Sequence, residues 1–146
     1  MDEINQVEIL IVEDNPSDAE MALRAFKKNN LTNKILVVED GEEALDYLFK
    51  KGQYATKNKD SRPKIILLDL KLPKINGLEV LKEIKSHPET KIIPVIVLTS
   101  SKEESDIIES YQLGVNSYIV KPVDFEKFVE AVRDLGFYWL LLNQLP

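Results

Sequence analysis

The chain of 146 residues has the length of one domain, which is large enough to fold without a metal or disulfide staple. Its lack of cysteine excludes disulfides, thiolate metal sites and a cysteine nucleophile, and its net charge of −6 without a basic block argues against a nucleic-acid partner. No apolar run approaches the roughly 20 residues of a membrane span, and the polar start is unlike a signal peptide, so we expect a cytoplasmic protein without membrane insertion.

Five short apolar runs recur along the chain, and we predict that they are strands. They are continuous rather than alternating in polarity, which is typical of a parallel sheet that is covered on both faces. The predicted strands are residues 9–12, 35–38, 65–68, 95–98 and 118–120.

A helical pattern follows each of these runs. The helix starts are marked by potential capping residues, namely Asn15, Asp40, Asn76, Ser101 and Asp124. Apolar residues at helical spacing follow each cap; Leu78, Leu81 and Ile84, or a face shifted by one, form the inner face of the third helix, and Ile107, Ile108 and Tyr111 form that of the fourth. Five strands alternating with five helices predict a (βα)5 fold, which is an open, doubly wound parallel α/β sheet.

The segment 50–63 interrupts this alternation. It is polar and longer than an ordinary connection between a helix and a strand. We therefore predict an exposed surface insertion there.

Carboxylates follow three of the predicted strands at their carboxyl ends, where ligands bind in open α/β sheets, but we set aside Glu39 and Asp40 after the second because Asp40 is needed as a helix cap. Glu13 and Asp14 follow the first strand, and Asp69 follows the third. Crowded carboxylates repel each other, and a hard divalent cation with oxygen ligands relieves that cost. The sequence therefore predicts a Mg²⁺ (or Mn²⁺) site on Asp14 and Asp69, with Glu13 acting through water and the backbone carbonyl of Lys71 as a further ligand.

Hydroxyl and ammonium groups follow the last two strands at the same edge. Thr99 and Ser100 come after the fourth strand and Lys121 after the fifth. A carboxylate can accept a phosphoryl group, and catalysis then needs mainly positioning and charge neutralisation. Thr99 offers a hydroxyl to a phosphoryl oxygen, while the small side chain of Ser100 leaves room for a phosphodonor.

With these residues in this order, the sequence resembles the receiver domain of two-component response regulators. The matching motifs are Glu13-Asp14, Leu68-Asp69 with Leu72-Pro73 and Gly77, Thr99-Ser100, and Lys121-Pro122. The resemblance implies a flavodoxin-like receiver fold and divides the chain into a tail at 1–6, a receiver domain at 7–135 and an extension at 136–146.

The resemblance also implies a role for each matching residue. Asp69 accepts a phosphoryl group from a sensor histidine kinase, Glu13 and Asp14 organise Mg²⁺, and Lys121 pairs with the phosphoryl group or with Asp69. Such a protein is a phosphoacceptor switch with at most weak self-catalysed phosphorylation and dephosphorylation, and not an enzyme.

Two further implications concern the switch itself. Thr99 moves toward the phosphate, and Tyr118 is the aromatic residue that turns inward when Thr99 moves. The bond between Lys121 and Pro122 is cis in the family.

A narrower resemblance involves the 50–63 loop and the tail. Both resemble the small response regulators that partner cyanobacterial-type phytochromes, which implies an extended final helix, a homodimer and a phytochrome-like sensor kinase. The tail is apolar all round a helix, which leaves surface for a partner unless it folds back over its own core. The predicted dimer contacts are Phe137, Tyr138, Trp139, Leu141 and Leu142.

Three other classes of protein are alternatives. A haloacid-dehalogenase-type phosphatase needs a second aspartate two residues after the first, where this chain has Lys71. A flavodoxin-like cofactor carrier needs a first loop that cradles phosphate, where Glu13 and Asp14 would repel it. The nearest alternative is a degenerate receiver-fold binding module that is not phosphorylated, although none of its expected deletions is present.

Overall fold

The computed structural model of the chain describes residues 7–30, 34–55 and 62–143, with side chains to residue 134 in the last range. The strands are β1 (Ile9–Val12), β2 (Ile35–Val38), β3 (Ile65–Leu68), β4 (Val95–Thr99) and β5 (Ser117–Val120). The helices are α1 (Pro16–Lys28), α2 (Gly41–Phe49), α3 (Gly77–Ser86), α4 (Pro88–Lys91), α5 (Glu104–Gln112) and α6 (Phe125–Asn143).

The five strands form one parallel sheet in the order β2-β1-β3-β4-β5. This confirms the predicted (βα)5 fold, to which the structure adds the short helix α4. Val12 lies opposite Val38 on one side and Leu68 on the other, so β1, β2 and β3 end at the same level. The strand order reverses at β1, which places the ligand-binding crevice of such sheets at the carboxyl ends of β1 and β3.

Apolar side chains cover both faces of this sheet, which explains why the strand runs are continuous. Leu10 and Val12 pack in a core with residues of α2 and α3. Ile9 and Ile11 pack in the opposite core, which contains Phe26 of α1 and Phe128 of α6. Because successive residues of a strand point to opposite faces, one buried tetrapeptide supplies both cores.

The first three predicted helix caps are confirmed. The side-chain oxygens of Asn15, Asp40 and Asn76 accept hydrogen bonds from backbone N–H groups of the first helical turn at 2.7–3.1 Å. Asp124 precedes α6, and its Oδ1 accepts from the N–H of Glu126 at 3.2 Å. These local contacts fix where the helices begin relative to the strand ends.

The predicted cap at Ser101 is wrong. The residue that precedes α5 is Glu103, and the Ser101 hydroxyl instead donates to Asp106 Oδ2 at 2.7 Å. Ser101 is itself fully buried, because it follows β4 directly at the edge of the sheet. Its hydroxyl thus joins the loop after β4 to the first turn of α5.

The structure also refines the predicted inner faces of two helices. In α3, Leu81 and Ile84 are buried as predicted, Val80 is buried with them, and Leu78 is half-buried against the same core. In α5, Ile108 and Tyr111 are 48% and 52% exposed, contrary to the prediction. The reason is that α5 packs beside the edge strand β5, so little of its surface faces the sheet.

The predicted exposure of the insertion at 50–63 is confirmed for residues 51–53 and Ala55, but Tyr54 is half-buried and Pro63 is buried. Residues Gly52–Tyr54 form a 3-10 turn, from which the Tyr54 ring packs edge-on against Tyr47 at 5.1 Å between centroids. The Tyr54 hydroxyl donates to Glu43 Oε2 at 2.9 Å, and Pro63 is buried. Burial and this hydrogen bond raise the pKa of Tyr54 to about 12. Aromatic packing thus anchors the start of the insertion to α2.

The final helix continues to Asn143, which confirms the predicted extension of the last helix. The side chains of the predicted dimer contacts lie outside the described residues; these are Phe137, Tyr138, Trp139, Leu141 and Leu142. In the part of the chain that the structure describes, no helix combines the length and apolar character needed to cross a membrane.

Candidate functional site

Three carboxylates converge at the carboxyl ends of β1 and β3. Glu13, Asp14 and Asp69 each have an oxygen within 4.8 Å of the others. Glu13 and Asp69 are almost fully buried, whereas Asp14 is exposed. The sequence prediction that these residues come together is therefore confirmed. A set of three carboxylates, one of them open to solvent, fits a hard divalent cation that keeps some of its water ligands.

Backbone hydrogen bonds fix the two buried carboxylates. The N–H of Glu13 donates to the carbonyl of Val38, and the N–H of Asp69 donates to the carbonyl of Val12, both at 3.0 Å. These bonds extend the sheet beyond β1 and β3. Glu13 Oε2 accepts from the N–H of Asn15 at 3.1 Å, and Asp69 Oδ1 accepts from the N–H of Lys71 at 3.0 Å. One oxygen of each carboxylate is thus held by the main chain two residues later.

The other oxygen of each carboxylate contacts the ammonium group of Lys121. The Nζ atom lies 2.9 Å from Glu13 Oε1 and 3.0 Å from Asp69 Oδ2. The loop that carries it is joined to β4, because the N–H of Lys121 donates to the carbonyl of Thr99 at 2.8 Å. The peptide bond between Lys121 and Pro122 is cis, as the resemblance implied.

A fourth carboxylate at the site was not predicted from the sequence. Asp18 Oδ2 lies 2.8 Å from Lys121 Nζ, which is the shortest of the three ion pairs of this ammonium group. Asp18 lies in the first turn of α1, where an acidic residue is common because the helix dipole favours it. Its position just after the Glu13-Asp14 pair was the one signal that could have indicated its role.

Burial and charge shift the ionisation of this cluster. Burial raises the pKa of Glu13 to about 7; the nearby charge of Asp69 adds to this shift, while the hydrogen bond from Lys121 opposes it. Burial alone would lower the pKa of Lys121, but its hydrogen bonds to Asp18, Glu13 and Asp69 outweigh burial and raise it. Among the described residues, three carboxylates contact the one ammonium group of Lys121, so the site retains negative charge for which a divalent cation can compensate.

Two of the residues predicted to act at this edge, Thr99 and Tyr118, are linked by one hydrogen-bonded chain. Thr99 is fully buried, and its Oγ1 accepts from the N–H of Ser101 at 3.3 Å. The carbonyl of Ser101 accepts in turn from the hydroxyl of half-buried Tyr118 at 3.1 Å, and burial raises the pKa of this tyrosine. Ser100 is exposed at the rim. Thr99 is thereby connected to Tyr118 through a single residue.

A glycine brings the start of α3 against the loop that carries Asp69. The N–H of Gly77 donates to the carbonyl of Leu70 at 2.8 Å. A Cβ atom at position 77 would collide with the backbone of Asp69 and Leu70. The backbone after Asp69 therefore needs a residue without a side chain at this point.

Comparison with known proteins agrees with this geometry. The sequence model of the response regulator receiver domain matches residues 9–133. The chain is 41% identical over 138 residues to the probable methanogenesis regulatory protein FilR2 of Methanothrix harundinacea, which covers 94% of this chain and 86% of FilR2. It is 39% identical over 138 residues to response regulator Rcp1 of Synechocystis, which covers 94% of this chain and 92% of Rcp1.

Solved structures extend the similarity to the whole fold. The phosphorylated cyanobacterial phytochrome response regulator RcpA superposes with a TM-score of 0.79 at 42% identity, over 97% of this chain and 99% of RcpA. The Mn²⁺-bound form of Rcp1 superposes with a TM-score of 0.79 at 39% identity, over 97% of this chain and 99% of that one. On the motifs, the fold and these relatives together, the chain belongs to the response regulator receiver family.

Proposed function

We propose that Asp69 accepts a phosphoryl group from a sensor histidine kinase in a reaction that depends on a divalent cation. The observation that carries this proposal is the buried Asp69 carboxylate, which shares a site with two further carboxylates and contacts Lys121 Nζ at 3.0 Å. Receiver domains as a family are phosphoacceptor switches that take their phosphoryl group from histidine kinases.

The proposed chemistry is a displacement at phosphorus. A carboxylate oxygen of Asp69 forms the new P–O bond, while the P–N bond to the kinase histidine breaks and the leaving imidazole takes up a proton. Mg²⁺ held by Glu13, Asp14, Asp69 and the backbone carbonyl of Lys71 would supply neutralisation of the phosphoryl charge. The Lys121 ammonium group neutralises a second oxygen, which its present contact with Asp69 supports.

We further propose that Thr99 and Tyr118 transmit the change. If the Thr99 hydroxyl turns to a phosphoryl oxygen, its contact with the N–H of Ser101 is lost. The Ser101 backbone is then no longer held by Thr99. The Tyr118 hydroxyl, which donates to the carbonyl of Ser101, thereby loses an acceptor of fixed position. The surface formed by β4, α5 and β5 would thus change for a protein partner, while exposed Ser100 leaves room for the phosphodonor.

Incubation with acetyl phosphate and Mg²⁺ tests the proposal. We expect intact-mass spectrometry to show one added phosphoryl group on the wild type, and no adduct for Asp69→Asn or in EDTA. The matched control is Asp134→Asn, which removes an exposed aspartate and should leave the adduct intact. The binding-module alternative predicts no adduct and no change in tyrosine fluorescence when Mg²⁺ is added; both together would contradict the proposal.

The kinase partner that we propose is phytochrome-like. The support is the similarity to RcpA, which is named as a cyanobacterial phytochrome response regulator. FilR2 is named as a probable methanogenesis regulatory protein, so the similar proteins are not all named for phytochrome. Phosphotransfer from a purified phytochrome-like histidine kinase is the direct measurement.

We also propose that the chain is a receiver domain at 7–135 with an extension at 136–146 that forms a homodimer. The support is the continuation of α6 to Asn143 and the apolar sequence of its last turns. We expect analytical ultracentrifugation to detect a dimer of the wild type and a monomer of Trp139→Glu/Leu142→Glu. The control Lys127→Glu, at an exposed position of the same helix, should remain dimeric. A monomeric wild type at micromolar concentration would refute the dimer.

A further inference from the structure

The ammonium group of Lys121 faces three carboxylates at nearly equal distances. Its Nζ atom lies 2.8 Å from Asp18, 2.9 Å from Glu13 and 3.0 Å from Asp69. An ammonium group has three N–H donors, so these partners account for all of them. Lys121 is only 15% exposed, which means that its charge depends on these carboxylates more than on water.

Two of these three partners are also the carboxylates that a divalent cation would need. Glu13 and Asp69 belong to the cluster of carboxylates that could hold a cation, together with Asp14. Asp18 is not part of that cluster among the described residues. A cation that binds Glu13 and Asp69 therefore draws on the same two carboxylates as Lys121, whereas Asp18 remains to pair with an ammonium group that the cation displaces.

The backbone of Asp18 is held where this pairing is possible. It lies in the first turn of α1, and its N–H donates to the capping oxygen of Asn15 at 3.1 Å. Asn15 in turn donates its N–H to Glu13, so the loop that leads to Asp18 starts at the site itself. The Asp18 side chain is 30% exposed, less exposed than a solvated acid at a helix start would be.

We propose that Asp18 is a positioning residue that draws the Lys121 ammonium group toward α1 and so leaves Glu13 and Asp69 to the divalent cation. The inference deepens the proposed function and rests on it. Removing the charge of Asp18 restricts Lys121 to the two carboxylates of the cation cluster, where it competes more strongly. It also removes one negative charge from the neighbourhood of the cation.

Titration calorimetry of Mg²⁺ into the unphosphorylated full chain measures this effect without any phosphotransfer. We expect Asp18→Asn to weaken Mg²⁺ binding about tenfold, at the low end of what residues that orient metal ligands contribute. Asp18→Glu keeps the charge within reach of Lys121 and should restore most of the affinity. Glu20→Gln removes an exposed carboxylate of the same helix and should change the affinity less than about twofold.

A double-mutant cycle separates positioning of Lys121 from a general charge effect. In a Lys121→Met background, Asp18→Asn should weaken Mg²⁺ binding by less than about twofold, because the ammonium group that Asp18 holds is gone. An equal loss in both backgrounds, or no loss when Lys121 is present, would overturn the inference. A wild type that binds no Mg²⁺ would instead contradict the metal site of the proposed function itself, so the two failures are distinguishable.

Discussion

Replacing Lys121 with methionine is expected to lower the free energy of unfolding of the metal-free protein by about 2–3 kcal/mol. Glu13 and Asp69 are almost fully buried, and the ammonium group is their common partner at 2.9 and 3.0 Å. Removing one partner of a buried ion pair usually costs about 3–5 kcal/mol. We expect less here because Glu13, whose pKa already lies at about 7, can take up a proton.

Urea unfolding in EDTA and in saturating Mg²⁺ measures this effect. The loss of unfolding free energy should be smaller in Mg²⁺, since the bound cation then neutralises the carboxylates in place of Lys121. In EDTA it should be larger well above pH 7 than well below it, because Glu13 is protonated at the lower pH and then no longer repels Asp69. Because folding raises the pKa of Glu13, ionisation of Glu13 lowers the free energy of unfolding as the pH rises. The loss caused by Lys121→Met is therefore larger at high pH.

A matched lysine provides the control for Lys121. Lys28 pairs with Glu126 at 3.2 Å, but the two side chains are 54% and 66% exposed. Lys28→Met should therefore change the free energy of unfolding by no more than about 0.5 kcal/mol, with no dependence on Mg²⁺. Equal losses for the two variants, or a Lys121→Met loss that Mg²⁺ does not reduce, would show that the site does not depend on its ammonium group.

Replacing Gly77 with alanine is expected to destabilise the protein by about 3 kcal/mol and to abolish the phosphoryl adduct. The new Cβ atom would collide with the backbone at Asp69 and Leu70. Neither residue can shift freely, because the N–H of Asp69 donates to Val12 at 3.0 Å and the carbonyl of Leu70 accepts from Gly77 at 2.8 Å. The collision must therefore displace the loop that positions the Asp69 carboxylate.

The sign of this prediction is opposite to that of helix propensity. At an unhindered helical position, alanine is more favourable than glycine by about 1 kcal/mol. Urea unfolding combined with intact-mass spectrometry after acetyl phosphate tests both parts of the prediction. A Gly77→Ala variant as stable as the wild type, with its adduct retained, would contradict it.

Gly114 is the control for the cost of replacing a glycine in general. Its φ is +97°, and a Cβ atom there would meet no atom of the described residues within 4 Å. Gly114→Ala should therefore cost about 1–2 kcal/mol from backbone strain, while the phosphoryl adduct remains. The comparison separates backbone strain from displacement of the Asp69 loop.

The strands, most helix starts and the central site residues could be predicted from local patterns. Strand periodicity and caps such as Asn15 and Asp40 depend on neighbours a few residues away, so a short window of sequence contains the information. Glu13, Asp69 and Lys121 follow strand ends, and the carboxyl ends of parallel strands meet at one edge of the sheet. Their convergence therefore follows from the alternation of strands and helices along the chain.

The errors of prediction concern how helices and loops pack against the sheet. The exposure of Tyr111, the contact of Ser101 with Asp106 and the packing of Tyr54 on Tyr47 all depend on where one element lies beside another. Hydrophobic periodicity indicates that a helix has an inner face, but the area that the sheet covers depends on the position of the helix. For α5, which lies beside the edge strand β5, that area is small.

The sequence was sufficient for the fold, for the family and for the convergence of Glu13, Asp69 and Lys121 at one edge of the sheet. The ion pair between Asp18 and Lys121 was visible only once α1 had been placed beside the loop after β5. The physical reason is distance along the chain: a pattern of neighbours defines a strand end or a cap, whereas a contact between the first helix and the last loop depends on the packing of every element between them.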